Sequence, residues 1–585
     1  MVKINKTLGL ALLTALAASC SSDNDVAQAP EPVNNNGVAY ATLRIDLPTQ
    51  QGSRAVSFDY NNDISEEYKV YDATLLVFKQ AGNSEGDYTF VEKVDLGDME
   101  PWTEKNTDGI TTTADVTAKL SKATLTDLTQ NKCYGLVILN NKADDGSDKI
   151  TIPDEGTKYS VWNDPSNAKA MKNTKNGFVM ANAPGWKKSG EVPTTLVPIK
   201  GDHVKATETL AKGVGPAAEI HVERGLAKVT LTLPNDAEEV TVNSGNSQYN
   251  GDEVTFDGWA LDVTNTKSFP VHNIDGLNLA KNYTDIWTSD GTASTKENSP
   301  SVRRFVDGAN PTFKRVYWGI DPNYNKAYDD CKGDFNIITE STWESSDYNT
   351  LFGVENPLYC LENTFDIDHM QQGQTTRVLI KATYKKGGSE AKTFYKFGSS
   401  SKLYDKDGLI EALKERYLEL NPYVEEVDVK LKADGSDITT AGVHDLQAAN
   451  FEVKKYYDFS SAKPRTRAEG SDVSEKPKPV VPTEKITTYE NGVCYYIGRI
   501  KHFGDDETPW SVGDPTYNKD NLKYLGRYGV LRNNWYSLTV NSVSGPGEPT
   551  VPPINPTDPD DDNYNYIDLG VKILQWAKRT QGLDL

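Results

Sequence analysis

The residue whose type and setting offer a definite chemical event is Arg54, in the run Thr-Gln-Gln-Gly-Ser-Arg-Ala that follows Pro48. Small polar residues of this kind form an exposed turn, and the Arg54–Ala55 peptide bond there is open to a trypsin-like or other Arg-specific proteinase. Other chemistry finds little support. The six histidines, His203, His221, His272, His369, His444 and His502, are scattered, with no HExxH or closely paired ligands, so the sequence predicts no metal site and no cofactor. GxSxG and phosphate-loop patterns are missing. The stretch from Asp405 to Glu411 has part of a calcium-loop pattern but lacks its third acidic ligand, and a turn capping a helix from Leu409 is the simpler reading. A glycosidase carboxylate pair needs no motif and stays open.

The second chemical candidate is Cys20. Lys3 and Lys6 precede an apolar run over residues 8–16, which ends in Ala17, Ala18, Ser19 and Cys20. This is similar to a bacterial lipoprotein signal peptide, residues 1–19, cut so that the Cys20 thiol carries lipid; an ordinary secretory signal is the alternative. Residues 21–36 are polar, with Pro30 and Pro32, and read as a tether. No later run is long and apolar enough to span a membrane as a helix.

Two stretches must position what the cut at Arg54 would release. Residues 38–47 alternate: Ala39, Ala41, Leu43, Ile45 and Leu47 are apolar, while Thr42, Arg44 and Asp46 between them are polar. That is the period of a half-buried strand. A strand followed by a cleavage site is removable. Near the C-terminus, Ile567, Leu569, Val571 and Ile573 alternate with Asp568, Gly570 and Lys572 in the same way, although Val571, Leu574 and Lys578 also fit helical spacing. Between 544 and 563 lie six prolines and an Asp cluster, a composition expected to stay extended and unpacked, with a reach of roughly 60 Å at about 3.1 Å per residue.

The body between is expected to be all-β. Thirty Tyr, ten Trp and forty-four Gly accompany few long helical patterns. At 585 residues the chain exceeds one comfortable core. The expected organisation is a propeptide over 20–54, an N-terminal domain over 55–216, a C-terminal domain over 217–543 and an arm with a donor strand over 544–585. One helix is predicted from Leu409 to Leu420, with Leu409, Leu413, Tyr417 and Leu420 on one face. Lys and Arg number 62 against 84 Asp and Glu, and the net charge of −22 argues against nucleic acid. Cys133, Cys331, Cys360 and Cys494 allow three pairings, none expected to be essential.

Five segments together carry a family resemblance: residues 223–229 (Glu-Arg-Gly-Leu-Ala-Lys-Val), 258–263 (Gly-Trp-Ala-Leu-Asp-Val), 359–364 (Tyr-Cys-Leu-Glu-Asn-Thr), 492–496 (Gly-Val-Cys-Tyr-Tyr) and 528–536 (Tyr-Gly-Val-Leu-Arg-Asn-Asn-Trp-Tyr). In order and spacing the chain resembles the fimbrial shaft subunits of Bacteroidetes, above all their minor (short) fimbrium branch. The resemblance implies two transthyretin-like β-sandwich domains in tandem, export as a lipoprotein, cleavage by an Arg-specific proteinase and polymerisation by strand exchange at the outer surface. It also implies anchor and tip subunits as partners, and adhesion, coaggregation and biofilm formation through host or bacterial surface receptors. A surface glycan-binding lipoprotein and, behind it, a surface glycoside hydrolase are the rival classes; both would keep residues 38–54 and stay monomeric.

Overall fold

A computed structural model of the chain describes residues 37–46, 67, 69–97, 113–121, 125–186, 193–234, 237–243, 248–275, 314–345, 350–388, 390–457, 478–503, 508, 510–511, 524–560 and 567–575. Over these the protein is all-β, built from several sheets with few helices.

The N-terminal sheet contains β1 (Ala39–Asp46), β2 (Ala73–Lys79), β3 (Thr89–Asp95), β4 (Thr113–Leu120), β5 (Cys133–Leu139), β6 (Met180–Asn182) and β7 (Ala218–Arg224). Their order is β3-β2-β5-β6-β7-β1-β4, and Val197–Pro198 pairs with β5 as an eighth strand. The sheet folds back on itself: Ala41, Leu43 and Ile45 of β1 share one core with Leu75 and Val77 of β2 and Val137 of β5. Leu76 and Phe78, which alternate with those β2 residues, enter a second core with Tyr159, Trp162 and Phe178. Burial on both faces explains why β2 reads as a continuous apolar run rather than an alternation.

The C-terminal sandwich has two four-stranded sheets. The first comprises β8 (Leu226–Thr232), β11 (Gly353–Leu361), β14 (Asn534–Val543) and β15 (Ile567–Gln575), in the order β11-β8-β14-β15. The second comprises β9 (Glu239–Thr241), β10 (Glu253–Asp262), β12 (Arg377–Lys385) and β13 (Val493–Arg499), in sequence order. Val229, Leu538 and Val540 from the first sheet meet Trp259, Ile380 and Tyr496 from the second.

The sequence places a break near residues 213–216, but the change of sheet falls at Gly225. Residues 218–224 pair with β1 and β6, whereas 226–232 pair with β11 and β14. The single apolar run over 220–233 therefore serves two sheets, and periodicity alone does not show where it is divided. Gly225 is held there by its N–H donating to the Val179 carbonyl at 2.9 Å.

Between β12 and β13 a smaller unit is inserted around α1 (Lys406–Leu420). Asp405 caps this helix by accepting from the Gly408 N–H at 2.8 Å. Leu409, Leu413 and Tyr417 are buried as the pattern requires; Leu420 is only partly covered.

The proline-rich segment departs from the expectation. Residues 544–560 do not stand free but run as a strap over the C-terminal sandwich. Glu548 exchanges two backbone hydrogen bonds with Tyr495, each 2.8 Å, and Asp560 is fully buried. The strap's prolines have no N–H to donate, but their carbonyls still accept, from Arg377 Nη2 at Pro552 (3.1 Å) and from Gln372 Nε2 at Pro559 (3.1 Å). All four described cysteines are buried and free, and burial pushes the Cys133, Cys360 and Cys494 thiols up to about 12.

Candidate assembly site

The alternation in residues 38–47 translates into an inner strand. β1 lies antiparallel to β4, from Ala39 opposite Leu120 to Asp46 opposite Thr113, and parallel to β7 from Leu43 opposite Ala218 to Asp46 opposite His221. Ala39 is 2% exposed, and Ala41, Leu43 and Ile45 are 0% exposed. Beyond β7, Tyr40 exchanges backbone hydrogen bonds with Lys205 (2.8 and 2.9 Å) and the Thr42 carbonyl accepts from the Ala217 N–H at 2.7 Å. On the other face Arg44 makes a two-point ion pair with Asp115, both contacts 2.9 Å, and Thr42 meets the Thr117 hydroxyl at 3.1 Å. With Arg44 40% and Asp115 47% exposed, that pair fixes register more than it adds stability.

Burying two Ala, one Leu and one Ile side chain is worth about 5 to 8 kcal/mol. Withdrawing β1 would also leave the facing backbone groups of β4 and β7 unpaired, which a matching strand can satisfy. Leu47, Arg54, Ala55 and Cys20 lie outside the described residues.

The C-terminal alternating stretch is a strand too. In this structure β15 is paired within its own chain, antiparallel to β14. The register sets Ile573 opposite Tyr536, Val571 opposite Leu538, Leu569 opposite Val540 and Ile567 opposite Val543, and all four β14 partners are core residues. Lys572 stands opposite Ser537 and Gly570 opposite Thr539. Helical pairing of Val571 with Leu574 is thereby excluded. The structure places β1 and β15 in different sheets, each filling an edge or slot of its own chain.

A set of buried charges where the two sheets meet was not legible from spacing. Glu223, at the end of β7, receives Arg315 through both Nε and Nη2 and His272 Nδ1 at 2.8 Å. Burial would raise the Glu223 carboxyl, but Arg315 and His272 outweigh it and hold it at about 2. Glu67, 13 residues past Arg54, is clamped by Lys228 Nζ and Tyr359 Oη, both at 2.7 Å, while its carbonyl accepts from Arg224 at 2.7 and 3.1 Å. Glu362 pairs with Arg532 at 3.2 Å. Glu223, Arg224, Lys228, Glu362 and Arg532 all belong to the five segments quoted from the sequence. The charged residues in those apolar segments were the available signal, since such groups are rarely buried without partners.

A testable consequence concerns acid. The Glu223 pKa is depressed on folding, so its ionisation contributes stability above the unfolded value of about 4.5 that is lost as the pH falls toward 2. Urea midpoints should drop across that interval. Glu223→Gln, which leaves Arg315 buried opposite a neutral group, should cost roughly 3 to 5 kcal/mol at neutral pH and flatten the acid limb. An acid limb as steep in the variant as in the parent would dismiss this assignment.

Among the described residues no group of three or more His, Cys, Asp or Glu is arranged to hold a metal ion, and no helix is long and apolar enough to cross a membrane. Residues 487–582, which include β13, β14, the strap and β15, match the family model described as major fimbrial subunit protein type IV, Fimbrillin, C-terminal. The family likeness is therefore carried by the C-terminal part of the chain. Similar solved structures include a fimbrilin of Porphyromonas gingivalis W83, at 13% identity over 92% of this chain and 99% of that one, with a TM-score of 0.34. A protein of Parabacteroides distasonis ATCC 8503 assigned to cell adhesion aligns at 11% identity over 92% of this chain and 98% of that one, with a TM-score of 0.35. A fimbrial assembly protein of the same organism aligns at 9% identity over 58% of this chain and 94% of that one, with a TM-score of 0.18. No curated protein matches the chain.

Proposed function

We propose that this chain is the shaft subunit of the fimbrium, delivered to the outer membrane as a lipoprotein through Cys20, cut after Arg54 by an Arg-specific proteinase, and polymerised by strand exchange. The observation that supports this most is the placement of β1. It is an inner strand with neighbours on both sides, and Arg54 falls in the sequence between it and β2. One cut at Arg54 converts it from a covalent strand to a bound peptide. β15 of a neighbour, with Ile567, Leu569, Val571 and Ile573, then competes for the vacated slot. Four such side chains are worth about 6 to 12 kcal/mol on burial in the slot, a range that overlaps the about 5 to 8 of β1, so the cut at Arg54, which frees β1 to leave, is what opens the exchange. Anchor and tip subunits, and receptors on host or bacterial surfaces that support adhesion, coaggregation and biofilm formation, are the partners this role requires. The propeptide limit follows the same logic, with the cut at Arg54 separating residues 20–54 from the mature body, while the boundary between the two domains moves from 216 to Gly225.

N-terminal sequencing of the protein recovered from the cell surface tests the reading. Material beginning at Ala55, in high-mass species that boiling in SDS dissolves, is the expected result. A monomer that retains residues 38–54 would refute the assembly role and leave a monomeric surface lipoprotein.

A further inference from the structure

The strap over residues 544–560 is held along its whole length by the C-terminal sandwich. It runs beside β13, the edge strand of its sheet. Tyr496 and Tyr489 donate their hydroxyls to the carbonyls of Gly545 (3.0 Å) and Gly547 (2.9 Å). Gly547 has to be glycine, because a Cβ there would sit 2.2 Å from the Tyr495 carbonyl oxygen. Further on, the Val551 N–H donates to Glu340 at 2.8 Å and the Gln372 N–H donates to the Asp558 carbonyl at 3.0 Å.

The strap ends at a buried charge. Asp560 accepts from the Thr375 hydroxyl at 2.6 Å and faces Arg499 at 3.3 Å. Arg499 stands directly across the β12–β13 ladder from Arg377, which is paired with Asp262 at 2.7 Å. Two buried guanidinium groups therefore lie side by side with one carboxylate each, and the carboxylate facing Arg499 comes from the strap. Lifting the strap off would part Arg499, 4% exposed with the strap in place, from that charge and break the Thr375 hydrogen bond and the Glu548–Tyr495 backbone pair with it.

We infer that Asp560 is the fixed root of the exchangeable C-terminal strand: residues 544–560 stay clamped to their own subunit in the filament, and only the chain beyond Asp560 passes to the neighbour. This rests on the reading of β15 as the donor strand. It changes the geometry of assembly. A free arm from residue 544 would reach roughly 60 Å, whereas the six residues 561–566 span at most about 22 Å when fully extended. Subunits joined through so short a link must sit with the Asp560 corner of one close to the β1 slot of the next.

Two experiments on the full chain test the clamp. Gln371 and Pro559 are bridge partners and both are partly exposed, so Gln371→Cys/Pro559→Cys can be closed as a disulfide across the strap. In cells whose only copy is this variant, polymer yield under oxidising conditions should stay within twofold of the yield with reductant. Polymers that form only with reductant would overturn the inference, because the strap would then have to peel away. The second measurement does not depend on polymerisation. In Asp560→Ala, hydrogen exchange at the Glu548 and Gln372 amides should rise at least tenfold while the Val137 amide in the N-terminal sheet keeps its rate, and Asp560→Asn should fall between. Unchanged exchange at Glu548 would remove the clamp. If the exchange rises as expected but filaments assemble without β15, the donor reading fails while the clamp stands.

Discussion

An Arg54→Ala chain should be exported and lipidated yet yield no filaments, only monomers that still contain residues 38–54. The physical basis is the difference between a tethered and an untethered strand. While β1 is covalently attached, its effective concentration at the slot is of order mM for a short flexible link. An incoming strand from another molecule cannot match that in dilute solution. Once cut, the peptide competes only with its intrinsic affinity, and its smaller Ala39 and Ala41 positions are a weakness against an Ile-Leu-Val-Ile strand. Electron microscopy of surface preparations, with mass spectrometry of the N-terminus, checks this. Filaments of ordinary abundance from the uncut chain would show that β1 is a permanent strand and that assembly uses another surface. Lys in place of Arg54 should give the same outcome as Ala if the proteinase reads the guanidinium, whereas a trypsin-like proteinase would still cut it.

What could be read from the sequence divides along a physical line. Local rules carried the strands at 39–46 and 567–575, because period-two alternation is written within the segment itself. The same holds for α1, where Asp405 supplies the cap and Leu409, Leu413 and Tyr417 the buried stripe. The strap was not legible. Its partners are Glu340, Gln372, Thr375, Arg377, Tyr489, Tyr495, Tyr496 and Arg499, all at least 45 positions away along the chain. A proline-rich composition reports only that the segment makes no regular ladder of its own; whether a body offers donors to its carbonyls is decided elsewhere. The Glu223–Arg315–His272 cluster failed for the same reason, since residues 223, 272 and 315 come together only through the sheets. Asp560, buried against Arg499, reads in the sequence as one of an acidic run that would be expected to face water. The division at Gly225 was hidden because both halves of the 220–233 run are apolar with like periodicity.

Because β15 lies in register with a buried strand, its four apolar positions and the polar ones between them should behave oppositely. Replacing Val571 and Ile573 with Asp sets two carboxylates at positions facing Leu538 and Tyr536, which are both 0% exposed. Each unpaired carboxylate in such a place costs several kcal/mol. The penalty applies whether the strand occupies its own sheet or a neighbour's slot, so polymerisation should fail. Lys572→Asp falls at the position opposite Ser537, which is partly exposed, and should cost less than about 1 kcal/mol and leave filaments intact. Truncation after Asp560 separates assembly from folding. β14 keeps its parallel partner β8 over Lys228–Thr232, and the strap keeps Asp560, so the truncated chain should melt as a single folded species but never polymerise. Its β14 edge, now open, should bind an added peptide of the β15 sequence, and the Val571→Asp/Ile573→Asp form of that peptide should not bind. If truncation instead unfolds the C-terminal sandwich, β15 is an obligatory strand of its own sheet, and the segment that joins one subunit to the next must be sought among strands that the sandwich can spare.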